Sequence, residues 1–369
     1  MDAGDEEHLE ALIAPYRDRS NAEIRSQLDA YLANHPESGF PSSRTLRSNA
    51  RTLFAGKRYR YAVAVAGYEG LTGRDAGPEV ARGATWVEWY HLYTLFLDDI
   101  MDEDVRRRMF PSAWATNSRL YRGTDASKPG IVFRTRRTRY GASQAILDAL
   151  RIRSLAERAI EGAAGLSATI RERLVEELTE VDLVLSDGQG LDIDFETSRA
   201  VREADYEAMS ERKTGRLYVG AAATAGILAE ASDADVRALE TYARHFSIAF
   251  QDRDDLLGSG VVPSRIGGSA SGDIVQGKRT RLYAVAVDRL PPRERKAFAA
   301  AYGRGPRSTA RDIALVRRLL REHALDAMNA RIEANIETAL AALGKIRFLV
   351  GRGRDLLTRL AIAQRSRLH

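Results

Sequence analysis

The 369-residue chain contains no cysteine, which excludes disulfides and thiolate metal sites. It opens with an acidic stretch, MDAGDEEHLEAL, in place of a basic segment followed by an apolar one, so no secretory signal is expected. No apolar run is long enough for a membrane span. The longest clean one, Val219 to Ala229, falls well short of the ~20 residues a spanning helix needs. Proline, glycine and serine do not gather into a linker between two patterned halves, so one large domain over residues 1–369 is expected. No repeat of fixed period is present, and from Gly141 to Leu185 there is no strand-like alternation. An arginine-rich tail and any recognisable DNA-binding module are also missing, and the net charge of +5 is modest, so nucleic acid is not an expected partner. A cytoplasmic protein is the simple reading.

What is present points to helices. Hydrophobic residues make up 44% of the chain, ample for a sizeable core, and charged residues 29%, which suits a solvated surface. Helical periodicity runs from about Glu6 to Asn34, with a break expected at Pro15, and HPESGFPSS (His35 to Ser43) reads as a loop. Tyr59 to Leu71 is helical, and Gly73 and Pro78 mark a turn. Helix is expected again from Gly141 to Leu185, with Gly188 and Gly190 interrupting it. Tyr206 to Leu228 forms another helix, and Asp233 is a candidate N-cap for the next. The fold class read from these periods is all-α.

Two stretches carry the chemistry. EWYHLYTLFLDDIMDEDVRRRMFP, Glu88 to Pro111, reads as a long helix whose C-terminal end collects Asp98, Asp99, Asp102, Glu103 and Asp104. Carboxylates there repel each other and the negative end of the helix dipole, so a positive partner is required. Asp98 and Asp102 lie one turn apart on one face, a spacing that suits Mg2+, which takes one or two protein carboxylates and completes its octahedron with water and phosphate. FQDRDDLLG, Phe250 to Gly258, is a second apolar helix ending in paired acids, Asp254 and Asp255. Either motif alone reads more simply as a solvated charge cluster. Together with basic residues elsewhere they fit a metal-bridged diphosphate, with the two helix ends facing each other across a cavity.

The chain resembles the trans-isoprenyl diphosphate synthases, the polyprenyl synthetase family, and in motif the bacterial geranylgeranyl and farnesyl diphosphate synthases. The resemblance rests on GKRYR (Gly56 to Arg60), His91, the DDxxD-like Asp98–Asp102 with Arg107 and Arg108, GQGLDI (Gly188 to Ile193), KTGRLY (Lys213 to Tyr218), FQxxDD and GDIVQGKRT (Gly272 to Thr280). These occur in the family's order from about Phe54 to Thr280.

The resemblance implies a helical bundle around a deep central cavity, the isoprenoid synthase fold. It also implies head-to-tail condensation of isopentenyl diphosphate with an allylic diphosphate, and a homodimer. Asp98 and Asp102 would hold two Mg2+ ions and Asp254 a third, with Asp99 and Asp255 supporting. Arg107, Lys213 and Lys278 would contact the allylic diphosphate. Lys57, Arg60, His91 and Arg108 would bind isopentenyl diphosphate, with Arg58 in the same turn. Thr214 and Gln251 would stabilise the allylic cation through their oxygen dipoles. Tyr93 and Thr94, below Asp98 on the helix, would set the floor of the chain pocket and limit the product to C15–C20, geranylgeranyl diphosphate favoured. The product is a lipid, so transient membrane contact is compatible with this reading.

The chain departs from the family pattern at several places. Gly258 replaces the last carboxylate of the second motif, Gly268 stands where a lysine is common, and Ala55 and Tyr61 flank GKRYR. Residues 112–140, with the basic run RTRRTR (Arg134 to Arg139), look like an insertion. That run could cap the site, meet a partner or simply be solvated, and a solvated loop is the simplest reading. Two other functions compete. A class I terpene cyclase would share the fold but has no use for the basic residues of a second phosphate site. A non-catalytic partner subunit would be expected to lack the first acidic motif, which is intact.

Overall fold

The computed structural model describes residues 3–35, 41–107, 110–197, 202–263, 271–346 and 351–367. The protein is all-α. The strand pairing among the described residues is one antiparallel hairpin, Arg106–Arg107 with Phe110–Pro111, in the register Arg106 to Pro111 and Arg107 to Phe110. The chain forms two compact units that interleave along the sequence.

One unit comprises Ile13–Val65 and Asp75–Leu178. Its centre is the helix Trp86–Met101, which buries Trp86, Trp89, Tyr90 and Phe96. This helix packs along Arg136–Glu161, whose buried face carries Ala142, Ala145, Ala149, Ile152, Ala156 and Ala159. That alternating three-and-four spacing is the apolar stripe of a helix. Its small residues let the aromatic helix approach closely.

The other unit comprises Met1–Leu12, Ala66–Arg74 and Thr179–His369. Here the helix Asp233–Gly258 lies against Ala310–Gly344 and Arg216–Leu228. Tyr218, Tyr242 and Phe246 form its aromatic core, with Tyr242 stacked on Phe246 at 5.9 Å and Tyr218 edge-on to it at 5.2 Å.

Several local expectations change. The first helix, Ala3–Ala33, runs through Pro15 without a break. Pro15 is on the exposed face, so the lost hydrogen bond opens to water, while Ile13 and Tyr16 beside it are buried and hold the helix. The stretch 141–185 is two helices, Arg136–Glu161 and Ala168–Thr197, parted by a turn that starts at Gly162. Gly188 and Gly190 lie inside the second and do not end it. The N-cap of Asp233–Gly258 is Ser232, whose side chain accepts from the Asp235 amide at 3.2 Å. Most of the His35–Ser43 loop lies outside the described residues, and a helix begins at Pro41.

Candidate active site

The first acidic motif is assembled by the end of a helix and a hairpin. Asp98 and Asp99 fall in the last turn of Trp86–Met101, and Asp102 is its C-cap, its amide donating to the Asp98 carbonyl at 2.8 Å. Glu103 then takes a left-handed φ of 53°, which stops the helix. Arg107 follows on the first strand of the hairpin. Its Nη2 lies 2.9 Å from Asp98 Oδ2, and its Nε donates to Asp99 Oδ1 at 2.6 Å. This is the positive partner the sequence demanded. Asp99 is 1% exposed, and burial pushes its carboxyl up to about 6 despite the Arg107 charge. Trp114 Nε1 donates to the carbonyls of Asp99 (3.0 Å) and Asp104 (2.8 Å), fixing the acidic loop. Arg108 lies outside the described residues.

The basic turn is tied to the same helix through Arg58. Its side chain is buried, with Nη1 3.3 Å from Glu88 Oε2 and Nε donating to Asn21 Oδ1 at 3.0 Å, and it also donates to the Leu53 carbonyl. Glu88 Oε1 accepts from the Tyr61 amide at 3.1 Å. Arg58 therefore points inward, whereas Lys57 and Arg60 on either side are half-buried, and Lys57 Nζ lies 5.5 Å over the Tyr59 ring. Half-buried His91 stands one turn after Glu88 on the same helix. Thr94 Oγ1 donates to the His91 carbonyl at 2.9 Å, and Tyr93 packs edge-on to Tyr90 at 5.3 Å.

In the other unit, Lys213 and Thr214 lie in a π-helical turn, Glu211–Gly215, between the helices Glu203–Ser210 and Arg216–Leu228. Such turns concentrate at functional sites. Gly188 explains the packing beside it, because a Cβ there would sit 2.4 Å from the Lys213 amide nitrogen. Lys213 pairs with Asp192 of the GQGLDI stretch.

Thr214 Oγ1 donates to Gln251 Oε1 at 3.2 Å, and Gln251 Nε2 donates to Asp255 Oδ1 at 3.0 Å. Asp255 also accepts from Tyr206 OH at 3.2 Å and the Arg281 amide at 3.0 Å. Burial holds its carboxyl well above the usual range. Asp254, one residue earlier, is half-exposed and pairs with Arg367. The Arg367 guanidinium lies 3.9 Å over the Phe250 ring. At Gly258 a Cβ would meet Asp273 Oδ2 at 2.3 Å, so a neighbouring carboxylate fills the space of the expected one. Lys278 is exposed, and its carbonyl accepts from Tyr302 OH. Gly268 lies outside the described residues.

Reading the sequence missed Glu88, Trp114, Tyr206, Asp273 and Arg367. For Glu88 a signal existed: an acid inside an aromatic run, three residues before His91. Trp114 and Asp273 meet partners 10 to 15 residues away, and Tyr206 and Arg367 meet theirs 49 and 113 residues away, pairings that periodicity does not show.

Among the described residues no three His, Cys, Asp or Glu side chains form a ready metal cluster. The donor set still suits a hard cation. Asp98 and Asp102 offer only oxygen, and buried Asp99 Oδ2 has no hydrogen-bond partner among the described residues. No helix among the described residues is long and apolar enough to cross a membrane.

Comparison with known proteins identifies the family. Residues 43–319 match the family model described as polyprenyl synthetase. A geranylgeranyl diphosphate synthase of Methanosarcina mazei is 30% identical over 285 residues, 76% of this chain and 77% of that protein. A geranylfarnesyl diphosphate synthase of Natronomonas pharaonis is 30% identical over 298 residues, 76% of this chain and 77% of that one. These relatives are archaeal, whereas the motifs most resembled bacterial enzymes. Among solved structures, geranylgeranyl pyrophosphate synthase from Corynebacterium glutamicum, complexed with isoprenyl diphosphate and magnesium, superposes with a TM-score of 0.84. It is 25% identical, and the match covers 96% of this chain and 99% of that one. The fold is thus the isoprenoid synthase fold, and the chain belongs to the polyprenyl synthetase family, the trans-isoprenyl diphosphate synthases.

Proposed function

We propose that this synthase condenses isopentenyl diphosphate head-to-tail with an allylic diphosphate and releases a C15–C20 product, geranylgeranyl diphosphate favoured. The observation that carries the reading is the anchoring of both an acid–arginine array and a basic turn on one helix, Trp86–Met101. A cation-requiring diphosphate site and a second, purely basic phosphate site are what two diphosphate substrates need. Asp98 and Asp102, with Asp254 of the second motif, would hold three Mg2+ ions. When bound, Mg2+ supplies positive charge that neutralises the departing diphosphate.

Arg107 and Lys213 already hold carboxylates, and each would exchange that partner for allylic phosphate oxygens, joined by Lys278. Lys57, Arg60, His91 and Arg108 would hold isopentenyl diphosphate. Arg58, turned inward, would position them. Buried Asp255 orients Gln251, whose carbonyl oxygen and the Thr214 hydroxyl would face the allylic cation. Asp99 orients Arg107 in the same way. Tyr93 and Thr94 would lie beneath the growing chain within a deep cavity. Residues 112–140 are a short helix, Ala113–Ser118, a loop and the start of Arg136–Glu161. We read them as an insertion in one synthase domain, and we infer a homodimer.

Product analysis tests the assignment: dimethylallyl, geranyl or farnesyl diphosphate, each with isopentenyl diphosphate and Mg2+, should give chains of up to twenty carbons. Failure to consume isopentenyl diphosphate would overturn it. Hydrocarbon release from geranylgeranyl diphosphate alone would replace it with a cyclase. Unaided turnover also excludes a non-catalytic subunit.

A further inference from the structure

Residues 119–139 concentrate the charge of the whole protein. They contain seven lysines and arginines and one acid, Asp125, a net +6, while the full chain carries +5, so all other residues together carry −1. All seven cations are exposed.

The segment is built, not loose. The Arg136 amide donates to the Lys128 carbonyl at 3.0 Å and the Arg137 amide to the Ala126 carbonyl at 3.2 Å, closing a loop over 128–136. Asp125 accepts from Tyr121 OH at 2.5 Å and pairs with Arg136. A reciprocal Thr135–Thr138 capping box starts the next helix. At the apex the chain turns so tightly that a Cβ on Gly130 would sit 2.3 Å from the Phe133 carbonyl oxygen. The two residues held there are aliphatic: Ile131 is 105% exposed and Val132 86%.

Single exposed aliphatic side chains are common, but two adjacent ones at the apex of a pinned loop that also carries exposed Lys128, Arg134 and Arg136 are not what solvation requires. A nucleic acid would use the cations and gain little from isoleucine and valine. A bilayer takes both: the aliphatic tip enters the boundary between headgroups and acyl chains, and the cations meet anionic headgroups. We propose that the 128–136 loop is a surface anchor that docks this protein on anionic lipid bilayers. The proposal stands on the loop alone and does not depend on the reaction assigned above, although a lipid product would give the docking a purpose.

Co-sedimentation with vesicles tests it. The full chain should bind phosphatidylcholine vesicles that contain phosphatidylglycerol, should not bind phosphatidylcholine alone, and should release as salt rises. The double variant Ile131→Ser/Val132→Ser should lower the partition coefficient roughly tenfold. The triple variant Arg134→Ser/Arg137→Ser/Arg139→Ser should do the same or more. The substituted side chains are exposed, so melting temperatures should stay unchanged. Equal binding to both vesicle types, or a double variant that binds like wild type, overturns the proposal. Tighter binding to a DNA duplex that the double variant leaves intact would make the loop a nucleic-acid surface instead. A change in the sedimentation coefficient of the lipid-free double variant would make it a contact between copies and overturn the proposal.

Discussion

Arg58 occupies a backbone conformation that favours glycine, at φ 58°, yet carries one of the most buried charges in its unit. Its guanidinium and the Glu88 carboxylate are 1% and 2% exposed, so removing either leaves the other charged and unpaired. For Glu88→Ala that cost is about 3–5 kcal/mol, expected as a lower urea midpoint. The KM for isopentenyl diphosphate should rise more than that for the allylic substrate, because Lys57 and Arg60 lose their support. Glu88→Gln should lie between, and an unchanged midpoint would show that the pair is not structural. The sequence shows Arg58 only as one more cation in a basic turn; its inward direction depends on partners at positions 21, 53 and 88. The place of Tyr93 on the same helix as Asp98 was legible, since it follows from helix periodicity, and its role at the pocket floor is a proposal. Tyr93→Ala should lengthen the product distribution seen by mass spectrometry, and an unaltered profile would remove Tyr93 from the pocket floor.

Among elements, the helices Trp86–Met101 and Asp233–Gly258 follow the same plan: an apolar body with acids in the last turn. Both were readable because the apolar period continues unbroken up to the acids. Gly188 was misread. Glycine inside a helical pattern looks like an interruption, but here it clears space for the backbone at Lys213, about 25 residues along, and periodicity cannot show a neighbour of that kind. Gly188→Ala should therefore cost about 1–3 kcal/mol in urea unfolding, although alanine is the better helix former. It should also depress turnover by displacing the Lys213 turn. A stability gain would mean that the close approach is not real. Residues Glu211–Gly215 looked like ordinary helix, because a π-helical turn has no compositional mark.

Across the whole molecule the all-α class was plain, whereas the two compact units were not, since they interleave and no linker separates them. Both units bury acids. Asp148 in one accepts from Thr45 and Asn117 and pairs with Arg151; Asp252 in the other pairs with Arg281 and Arg331. Burial pushes each up to about 6, only partly opposed by the Thr45 and Asn117 hydrogen bonds and then Arg151 at Asp148, and by the Arg281 and Arg331 charges at Asp252.

A carboxyl whose folded pKa exceeds its unfolded value binds more protons when folded, so its contribution is fully present below about pH 4 and lost as pH rises through 6. Each such group is worth on the order of 3 kcal/mol. In urea titrations from pH 4 to 7, Asp148→Asn should reduce the fall in stability with rising pH. Identical slopes in both proteins would place the Asp148 pKa near its unfolded value.

The π-helical turn has one more implication, for insertions and deletions. Its i to i+5 bonding holds one residue more than an α-helical turn does. Delete one residue there and the backbone can relax to α geometry, leaving Arg216–Leu228 facing its neighbours as before. Lys213 and Thr214 would meanwhile swing by up to about 100° around the axis. The scaffold would absorb a shorter chain at this spot, and the chemistry would not.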